Sequence, residues 1–195
     1  MTTVFVGGSR RVSRLPAQAR EQLAALVQAG VRVIVGDANG ADKAVQRQLS
    51  AYSYGHVTVF CSGSVSRNNL GNWPACHIVP PNNARGFQFY AAKDRQMAQE
   101  ADSGLMIWDG QSPGTILNVM RLAQNSKEVI LLDTSNNDIQ TIGSISDWRR
   151  FFANCSKEVR AEVRVRCTED ELALVDYPPQ QLTLFDPPPK LKARA

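Results

Sequence analysis

The sequence predicts a Rossmann-like α/β fold, a three-layer sandwich in which helices cover both faces of a mainly parallel sheet. Short apolar runs alternate along the chain with stretches whose apolar residues recur at helical spacing, which is the pattern of βαβ units. Three of these runs end in turns of glycine and polar residues that precede a predicted helix, at residues 7–10, 36–42 and 109–115. Because parallel strands end at one edge of a sheet, the turns are predicted to meet in a single cleft.

The first half of the chain predicts three strands, two helices and a long loop. The strands are short runs rich in β-branched and apolar residues, at 3–6, 31–35 and 57–60. The helix between the first two begins near Pro16, because proline suits the first position of a helix, and ends at Gly30. The second helix has four apolar residues on one face, Ala41, Ala44, Val45 and Leu49. Residues 61–85 are polar without a clear period, which favours a loop.

The second half predicts four further helices, two strands and a tail. Helices are predicted at 86–101, after residue 112 and at 147–152, with strands at 104–108 and 128–132. Thr168 and Glu171 have the spacing of a capping box, which predicts a short final helix. We expect a Rossmann-like domain at 1–155, an extension packed on it at 156–176, and a flexible proline-rich tail at 177–195.

Composition places the chain among soluble globular proteins. It has 195 residues, of which 43% are hydrophobic and 21% charged, enough for one domain with a tail. No apolar run approaches the roughly 20 residues of a membrane helix, and the N-terminus lacks a signal-peptide pattern. We therefore expect a cytoplasmic protein without a membrane partner. The four cysteines and two histidines are scattered, so we expect free thiols, no metal site and no cofactor.

The basic charge of the chain is concentrated at its C-terminal end. The formal net charge is +4, but Lys190, Lys192 and Arg194 all lie within the last six residues. Without these three side chains the formal charge is +1. Broad nucleic-acid binding by the body of the chain is therefore not expected, and direct DNA binding at the sheet edge is the weakest of the alternatives.

The three glycine-containing turns carry most of the predicted ligand-binding residues. Glycine lets a backbone approach a ligand closely, and the free N–H groups of a helix start favour an anion such as phosphate. Serine, threonine and arginine suit phosphate oxygens, whereas aspartate and asparagine suit sugar hydroxyls or a base. The alternative is that glycines only make tight βα turns. The residues are Gly8, Ser9, Arg10, Gly36, Asp37, Asn39, Gly40, Asp42, Gly110, Ser112, Gly114 and Thr115.

Outside these turns, Arg67 and the pair Lys93-Asp94 are further candidates. Arg67 lies in the long loop and would close over a ligand, unless the loop is an ordinary polar one. Lys93-Asp94 is either part of the site or a solvated helix face. Trp108 continues a buried strand and is predicted to be core. The chain has neither GxGxxG nor the lysine and hydroxyl of a P-loop, so phosphoryl transfer from ATP is not expected.

Six elements together resemble the SLOG superfamily: Gly8-Ser9-Arg10, residues 36–42, Lys93-Asp94, Met97, Ala101-Asp102 and residues 108–115. This superfamily includes the Rossmann domain of DNA-processing protein A and the lonely-guy phosphoribohydrolases, and the resemblance covers residues 3–133. It implies a nucleotide or nucleotide-derived ligand at the carboxyl edge of the sheet. It also points towards a homodimer, because lonely-guy enzymes share residues between subunits.

The chain departs from the lonely-guy motif at one position. Those enzymes cleave the N-glycosidic bond of nucleoside monophosphates with an arginine and a glutamate, but Asn118 stands where the resemblance implies the glutamate. An amide cannot activate water or stabilise an oxocarbenium-like centre as a carboxylate does. Two functions therefore remain open. The chain is a nucleotide-binding module, or it is an N-glycosidic-bond hydrolase or transferase that uses Asp109 or Asp94, as in the similar deoxyribosyltransferases.

The tail contains a separate motif between prolines. Gln181, Leu182, Leu184 and Phe185 resemble the Gln-Leu-x-Leu-Phe peptide by which bacterial replication and repair proteins bind the DNA sliding clamp. Apolar residues in an otherwise exposed segment favour a partner pocket, although the segment would also suit packing on its own domain. The resemblance implies recruitment of this chain to replication or repair machinery.

Overall fold

The computed structural model describes residues 1–176, in which strands and helices alternate. The strands are β1 Thr3–Gly8, β2 Arg32–Gly36, β3 Val57–Ser62, β4 Ala75–Ile78, β5 Ser103–Trp108, β6 Val129–Asp133 and β7 Asp138–Ile142. The helices are α1 Ala17–Gln28, α2 Ala41–Ala51, α3 Gly86–Glu100, α4 Pro113–Ala123, α5 Ile145–Ala153, α6 Lys157–Arg166 and α7 Glu169–Asp176. The predicted tail, with the motif Gln181–Phe185, lies outside the described residues.

The strands form one sheet in the order β4-β3-β2-β1-β5-β6-β7. The first six are parallel, and β7 runs antiparallel to β6. The Rossmann-like three-layer fold predicted from the sequence is confirmed. Within the described part of the chain, no helix combines the length and the apolar character needed to cross a membrane.

Successive side chains of the central strands point to opposite faces of the sheet and pack into two separate apolar cores. Val4 and Val6 face the layer of α1 and α2, where Leu23 and Leu49 are fully buried. Phe5, between them, faces the opposite core with α3, α4 and the C-terminal helices. Both faces of the parallel strands are therefore covered, which explains why these strands are continuous apolar runs rather than alternating ones.

Two strands were not predicted from the sequence. β4 lies within the segment predicted as a loop, and its residues alternate between exposed and half-buried. β7 follows the polar turn after β6, and four of its five residues are exposed. Both are edge strands that join the sheet through backbone pairing, so neither needs the apolar pattern that marks a buried strand. The structure thus corrects the loop prediction for residues 75–78.

The C-terminal helices α6 and α7 pack against the apolar core of the sheet. Val159, Val163 and Val175 lie in the same apolar cluster as Ile116 of α4. The predicted capping box is confirmed, since the backbone N–H of Thr168 donates to Glu171 Oε2 at 2.9 Å and Glu171 N–H donates to the threonine hydroxyl at 3.3 Å. α7 therefore begins where the sequence places it.

Glu171 also joins α7 to the helices beneath it. Its carboxylate accepts hydrogen bonds from Arg121 Nε at 2.8 Å and from Arg95 Nε at 3.0 Å. Burial opposes ionisation of Glu171, but the two guanidinium groups outweigh burial and lower its pKa from 4.5 to about 2. A lowered pKa in the folded state contributes stability above pH 4.5, and that contribution is lost as the pH falls from 4.5 through about 2.

We expect Glu171→Gln to lower the free energy of unfolding by about 3 kcal/mol, because it leaves the buried guanidinium of Arg121 without a counter-charge. Urea unfolding followed by circular dichroism measures this loss. The variant should also lose part of the wild-type dependence of stability on pH between 4.5 and 2. Glu169→Gln, at an exposed position of the same helix, is the control and should change stability by under about 0.5 kcal/mol. Equal stability of the two variants would contradict the assigned ion pairs.

Candidate functional site

A polar cleft of about 530 Å³ lies at the carboxyl edge of the central strands. The ends of β1 and β5 and the starts of α2, α3 and α4 surround it, so segments far apart in sequence meet here. Nine of the residues proposed from the sequence line this cleft: Gly8, Ser9, Arg10, Asp42, Lys93, Asp94, Ser112, Gly114 and Thr115.

The other proposed residues of the three turns and the long loop stand behind the cleft wall and do not line it. They are Gly36, Asp37, Asn39, Gly40, Arg67, Asp109 and Gly110. The contacts of Gly36, Asp37, Arg67, Asp109 and Gly110 support the turns that carry the lining residues.

Asp109 holds the turn between β5 and α4 in shape. Its Oδ1 accepts hydrogen bonds from the backbone N–H groups of Ser112 at 2.7 Å and Gln111 at 3.2 Å. Burial raises the pKa of Asp109, but these hydrogen bonds outweigh burial, so its pKa lies below 3.8. The turn also requires Gly110, whose φ of +75° is strained for any side chain. Oδ1 of Asp109 is thus occupied by its own backbone, whereas Oδ2 is buried without a hydrogen-bond partner among the described residues and lies 3.8 Å from Arg11 Nη1.

The start of α4 presents polar groups to the cleft. Pro113 begins the helix, and no acidic residue lies in the first turn. The hydroxyls of Ser112 and Ser9 are hydrogen bonded at 2.7 Å, which ties this turn to the turn after β1. Thr115 is 2% exposed, and within residues 1–176 its hydroxyl has no hydrogen-bond partner. A free hydroxyl beside the N–H groups of a helix start suits an anionic ligand.

Lys93 lies at the floor of the cleft between two carboxylates. It is 4% exposed, and its Nζ lies 2.5 Å from Asp94 Oδ1 and 3.7 Å from Asp42 Oδ2. The backbone N–H of Ala38 donates to the same Asp42 oxygen at 3.2 Å. A Cβ atom on Gly36 would overlap both the ammonium and the carboxylate, so only glycine leaves room for the pair. Lys93 is therefore buried beside a half-buried Asp94, and the pair is not a solvated helix face.

Charge and burial shift the pKa values of Asp42, Asp94 and Lys93 by different amounts. Burial raises the pKa of Asp42 from 3.8 to about 6, with Lys93 opposing the shift. Burial acts on Asp94 in the same direction, but the charge and hydrogen bond of Lys93 outweigh it, so the pKa of Asp94 lies below 3.8. Burial alone would lower the pKa of Lys93, but its two carboxylate neighbours keep it above 10.5. Near neutral pH, Lys93 and Asp94 are both charged.

Asn118, which replaces the glutamate implied by the resemblance, lies beside Asp94. Its side chain hydrogen bonds to Asp94 and helps to lower the pKa of that carboxyl. Its Oδ1 accepts a hydrogen bond from Arg121 Nη1 at 2.7 Å, which fixes the orientation of the amide. Arg121 is held in turn by Glu171. Asn118 thus supports a neighbouring carboxylate instead of supplying one.

The loop after β3 is anchored to the back of the site. Arg67 donates from Nε and Nη2 to the two oxygens of Asp37, at 2.9 and 2.6 Å, and its backbone N–H adds a third hydrogen bond at 3.0 Å. The guanidinium lies over the ring of Tyr90, 4.4 Å from the ring centre. Arg67 therefore supports the wall around Tyr90 and is not free to close over a ligand in this structure.

Several lining residues were not proposed from the sequence. Phe87 and Tyr90 line the cleft from the first turns of α3. Arg11 and Arg166 line it as well, and Arg166 lies 5.2 Å from the centre of the Phe87 ring. Phe87 and Tyr90 are three positions apart at the start of α3, so the sequence alone could have shown that they share one face of the helix. No local pattern places Arg166, because α6 reaches the cleft only through folding.

Neither a protein-family model nor a curated protein sequence significantly matches the chain. Among solved structures, the fold is similar to that of DNA processing protein A from Helicobacter pylori. That protein binds single-stranded DNA. The TM-score is 0.54 and the identity 13%, over 84% of this chain and 79% of that one. At this identity the likeness concerns the fold, in agreement with the relation that the sequence motifs suggested.

We expect Gly36→Ala to destabilise the protein by about 1–3 kcal/mol, because the added methyl group would displace Asp42 or Lys93 in a closely packed cluster. Chemical denaturation measures the effect. Gly55→Ala is the matched control, since a Cβ there meets no atom within 4 Å and should shift stability by under about 0.5 kcal/mol. If Gly36→Ala were as stable as the control, the buried cluster would not be as tightly packed as the structure shows.

Proposed function

We propose that this protein binds a nucleotide or a nucleotide-derived ligand in the cleft at the carboxyl edge of its sheet, and that it belongs to the SLOG superfamily. The observation that carries the proposal is the free, buried hydroxyl of Thr115 beside the start of α4, within a cleft that also contains aromatic rings and arginines. Such groups match the phosphate and the base of one molecule.

The two ends of the cleft suit different parts of a nucleotide. The hydroxyls of Ser112 and Thr115 and the first N–H groups of α4 would bind the phosphate. Phe87 and Tyr90 offer apolar surface to a base. Arg10 and Arg11 lie at the exposed rim and add positive charge for further phosphates. The volume of about 530 Å³ lies within the range of small-molecule sites.

Single-stranded DNA is one nucleotide-derived ligand worth testing. The structurally similar DNA processing protein A binds it. In this chain, the rim arginines Arg10, Arg11 and Arg166 would contact phosphates outside the cleft while one nucleotide occupies it. Binding of this kind should weaken steeply with salt, whereas binding of a mononucleotide in the cleft should depend on salt much less.

A second candidate function is cleavage or exchange of an N-glycosidic bond in a nucleoside monophosphate. Asp94 favours it, because this ionised carboxylate lines the cleft and is oriented by Lys93 and Asn118. Asp109, the other carboxylate proposed from the sequence, does not line the cleft, and its Oδ1 is engaged with the backbone of its own turn. Asp94 is therefore the better choice for the catalytic group. A homodimer would be compatible with either function.

We also propose that the tail peptide recruits the protein to replication or repair machinery through the bacterial sliding clamp. The support is the sequence Gln181-Leu-Thr-Leu-Phe185 with prolines on both sides. The last described residue is Asp176 at the end of α7, and the peptide begins five residues later in the sequence.

In a thermal-shift panel of nucleosides, mono-, di- and trinucleotides, cyclic nucleotides, ADP-ribose and an oligonucleotide, we expect at least one compound to stabilise the wild type. A ligand at one hundred times its Kd contributes about 2.7 kcal/mol. Thr115→Val should weaken that binding about 10-fold or more, because a charge-assisted hydrogen bond is lost. It should not reduce stability without ligand, because the removed hydroxyl is unpaired.

Thr141→Val, on the exposed strand β7, controls for the substitution and should bind as the wild type does. A flat response across the whole panel, with correctly folded protein, would contradict the proposed function. Retained affinity in Thr115→Val would remove the threonine from the site.

For the tail, we expect a peptide covering residues 180–187 to bind a bacterial sliding clamp with a Kd of about 1 μM, or about −8 kcal/mol. Leu184→Ala combined with Phe185→Ala should abolish binding, because both apolar anchors of the motif are lost. Fluorescence anisotropy of the labelled peptides measures the affinity of the wild-type sequence and of the double variant. Lys190→Ala in a longer peptide is the control for charge. Equal affinity of the double variant would contradict the motif.

A further inference from the structure

We infer that a second cavity, between α3, the end of α4 and α7, binds a small α-amino acid as its zwitterion. This cavity has a volume of about 340 Å³. Among the described residues, its lining side chains and those of the cleft have no member in common. The amino-acid site is therefore independent of the proposed nucleotide site and adds a second ligand of a different chemical class.

One wall of the cavity contains a buried guanidinium group with an unused donor. Arg121, which is 2% exposed, donates from Nε to Glu171 Oε1 at 2.8 Å and from Nη1 to Asn118 Oδ1 at 2.7 Å. Its Nη2 is also buried, and within residues 1–176 it has no hydrogen-bond partner. Because a buried donor without an acceptor costs free energy, a ligand that brings an acceptor to this wall is stabilised there.

Positive charge exceeds negative charge around this donor. The guanidinium groups of Arg95 and Arg121 share the single carboxylate of Glu171, at 3.0 and 2.8 Å. The other partner of Arg121, Asn118, is neutral. A carboxylate is planar, matches the geometry of a guanidinium group and brings the one negative charge that is missing. A phosphate dianion would bring a second charge close to Glu171, so the site favours a monocarboxylate.

The rim of the same cavity has groups that suit an ammonium ion. Asp170 lines the cavity from the first turn of α7, is exposed, and makes no ion pair with another described residue. Asn125 donates from Nδ2 to the carbonyl of Arg121 at 3.0 Å, which leaves its own Oδ1 available as an acceptor. A ligand with a carboxylate at one end and an ammonium group at the other therefore meets complementary charge at both ends.

The size and the apolar part of the wall indicate which amino acids fit. Ala98 and Leu174 offer apolar surface to a short aliphatic side chain. The volume of about 340 Å³ is at the lower end of the range of small-molecule sites. Acidic side chains would be repelled by Asp170 and Glu171. The site therefore favours leucine, isoleucine, valine or methionine over aspartate and glutamate.

The test is calorimetry of the full chain with leucine and with two analogues that each lack one charged group. We expect leucine to bind with a Kd of about 0.1 mM, a modest affinity because the ligand is small. Isocaproate, which lacks the ammonium group, and isoamylamine, which lacks the carboxylate, should each bind at least about 10-fold more weakly. Aspartate should bind more weakly than leucine, and inorganic phosphate should not compete with leucine.

Asp170→Asn tests the orientation of the ligand. It should weaken leucine binding about 3-fold, the size expected for an exposed ion pair, and should not weaken isocaproate, which has no ammonium group. Glu169→Gln is the matched control, because it removes an exposed carboxylate from the same turn of α7 that does not line the cavity. Equal losses of leucine and isocaproate binding in Asp170→Asn would overturn the assigned orientation.

Two further variants test the cavity itself. Arg121→Lys keeps the positive charge but removes the unpaired donor, so it should weaken leucine and isocaproate alike, by about 10-fold or more. Arg121 also supports the core, so Gln124→Trp is the second variant. Gln124 is exposed at the end of α4, and an indole there would fill the cavity and abolish leucine binding without a loss of stability.

Three results would overturn the inference. The first is the absence of binding by leucine, isoleucine, valine and methionine to the folded wild type. The second is wild-type affinity for leucine in Gln124→Trp. The third is displacement of leucine by inorganic phosphate, which would make the cavity a general anion site. None of these results concerns the cleft, so the thermal-shift panel with nucleotides tests the proposed function separately.

Discussion

A single buried ammonium, that of Lys93, holds the floor of the cleft together. Two carboxylates from different helices approach it, and without its charge two neighbouring anions would have to be buried side by side. The requirement extends to the backbone, because only glycine at position 36 leaves space for the cluster. Lys93 therefore positions the start of α2 against the middle of α3, and the shape of the cleft depends on that contact.

A chain of polar contacts runs from this floor to the end of the folded domain. Asp94 is hydrogen bonded to Asn118, Asn118 to Arg121, and Arg121 to Glu171 at the start of α7. Arg121 is almost completely buried, so its charge must be matched inside the protein. The C-terminal helices thereby take part in the scaffold that orients the cleft, and they do so directly before the segment that carries the proposed clamp peptide.

Some polar residues of the glycine-containing turns line the cleft and others lie behind it, and residue type does not distinguish the two groups. Asp42 lines the cleft, whereas Asp37, five residues earlier, is held by Arg67 behind it. Asp109 follows a strand end as the sequence predicted, yet its carboxylate caps backbone N–H groups. An aspartate after a strand suits ligand binding and turn formation equally well, so sequence patterns locate the turns but not the direction of each side chain.

The fold class, the positions of the buried strands along the chain and the meeting of three turns at one edge were predicted from local patterns. Hydrophobic periodicity and glycine positions report burial and chain direction within a few residues. The edge strands β4 and β7, the contribution of Arg166 and the burial of Lys93 do not follow from such patterns, because each depends on residues distant in sequence. The protonation of Asp42 belongs to this second group, since its burial and its charged neighbours exist only after the chain has folded.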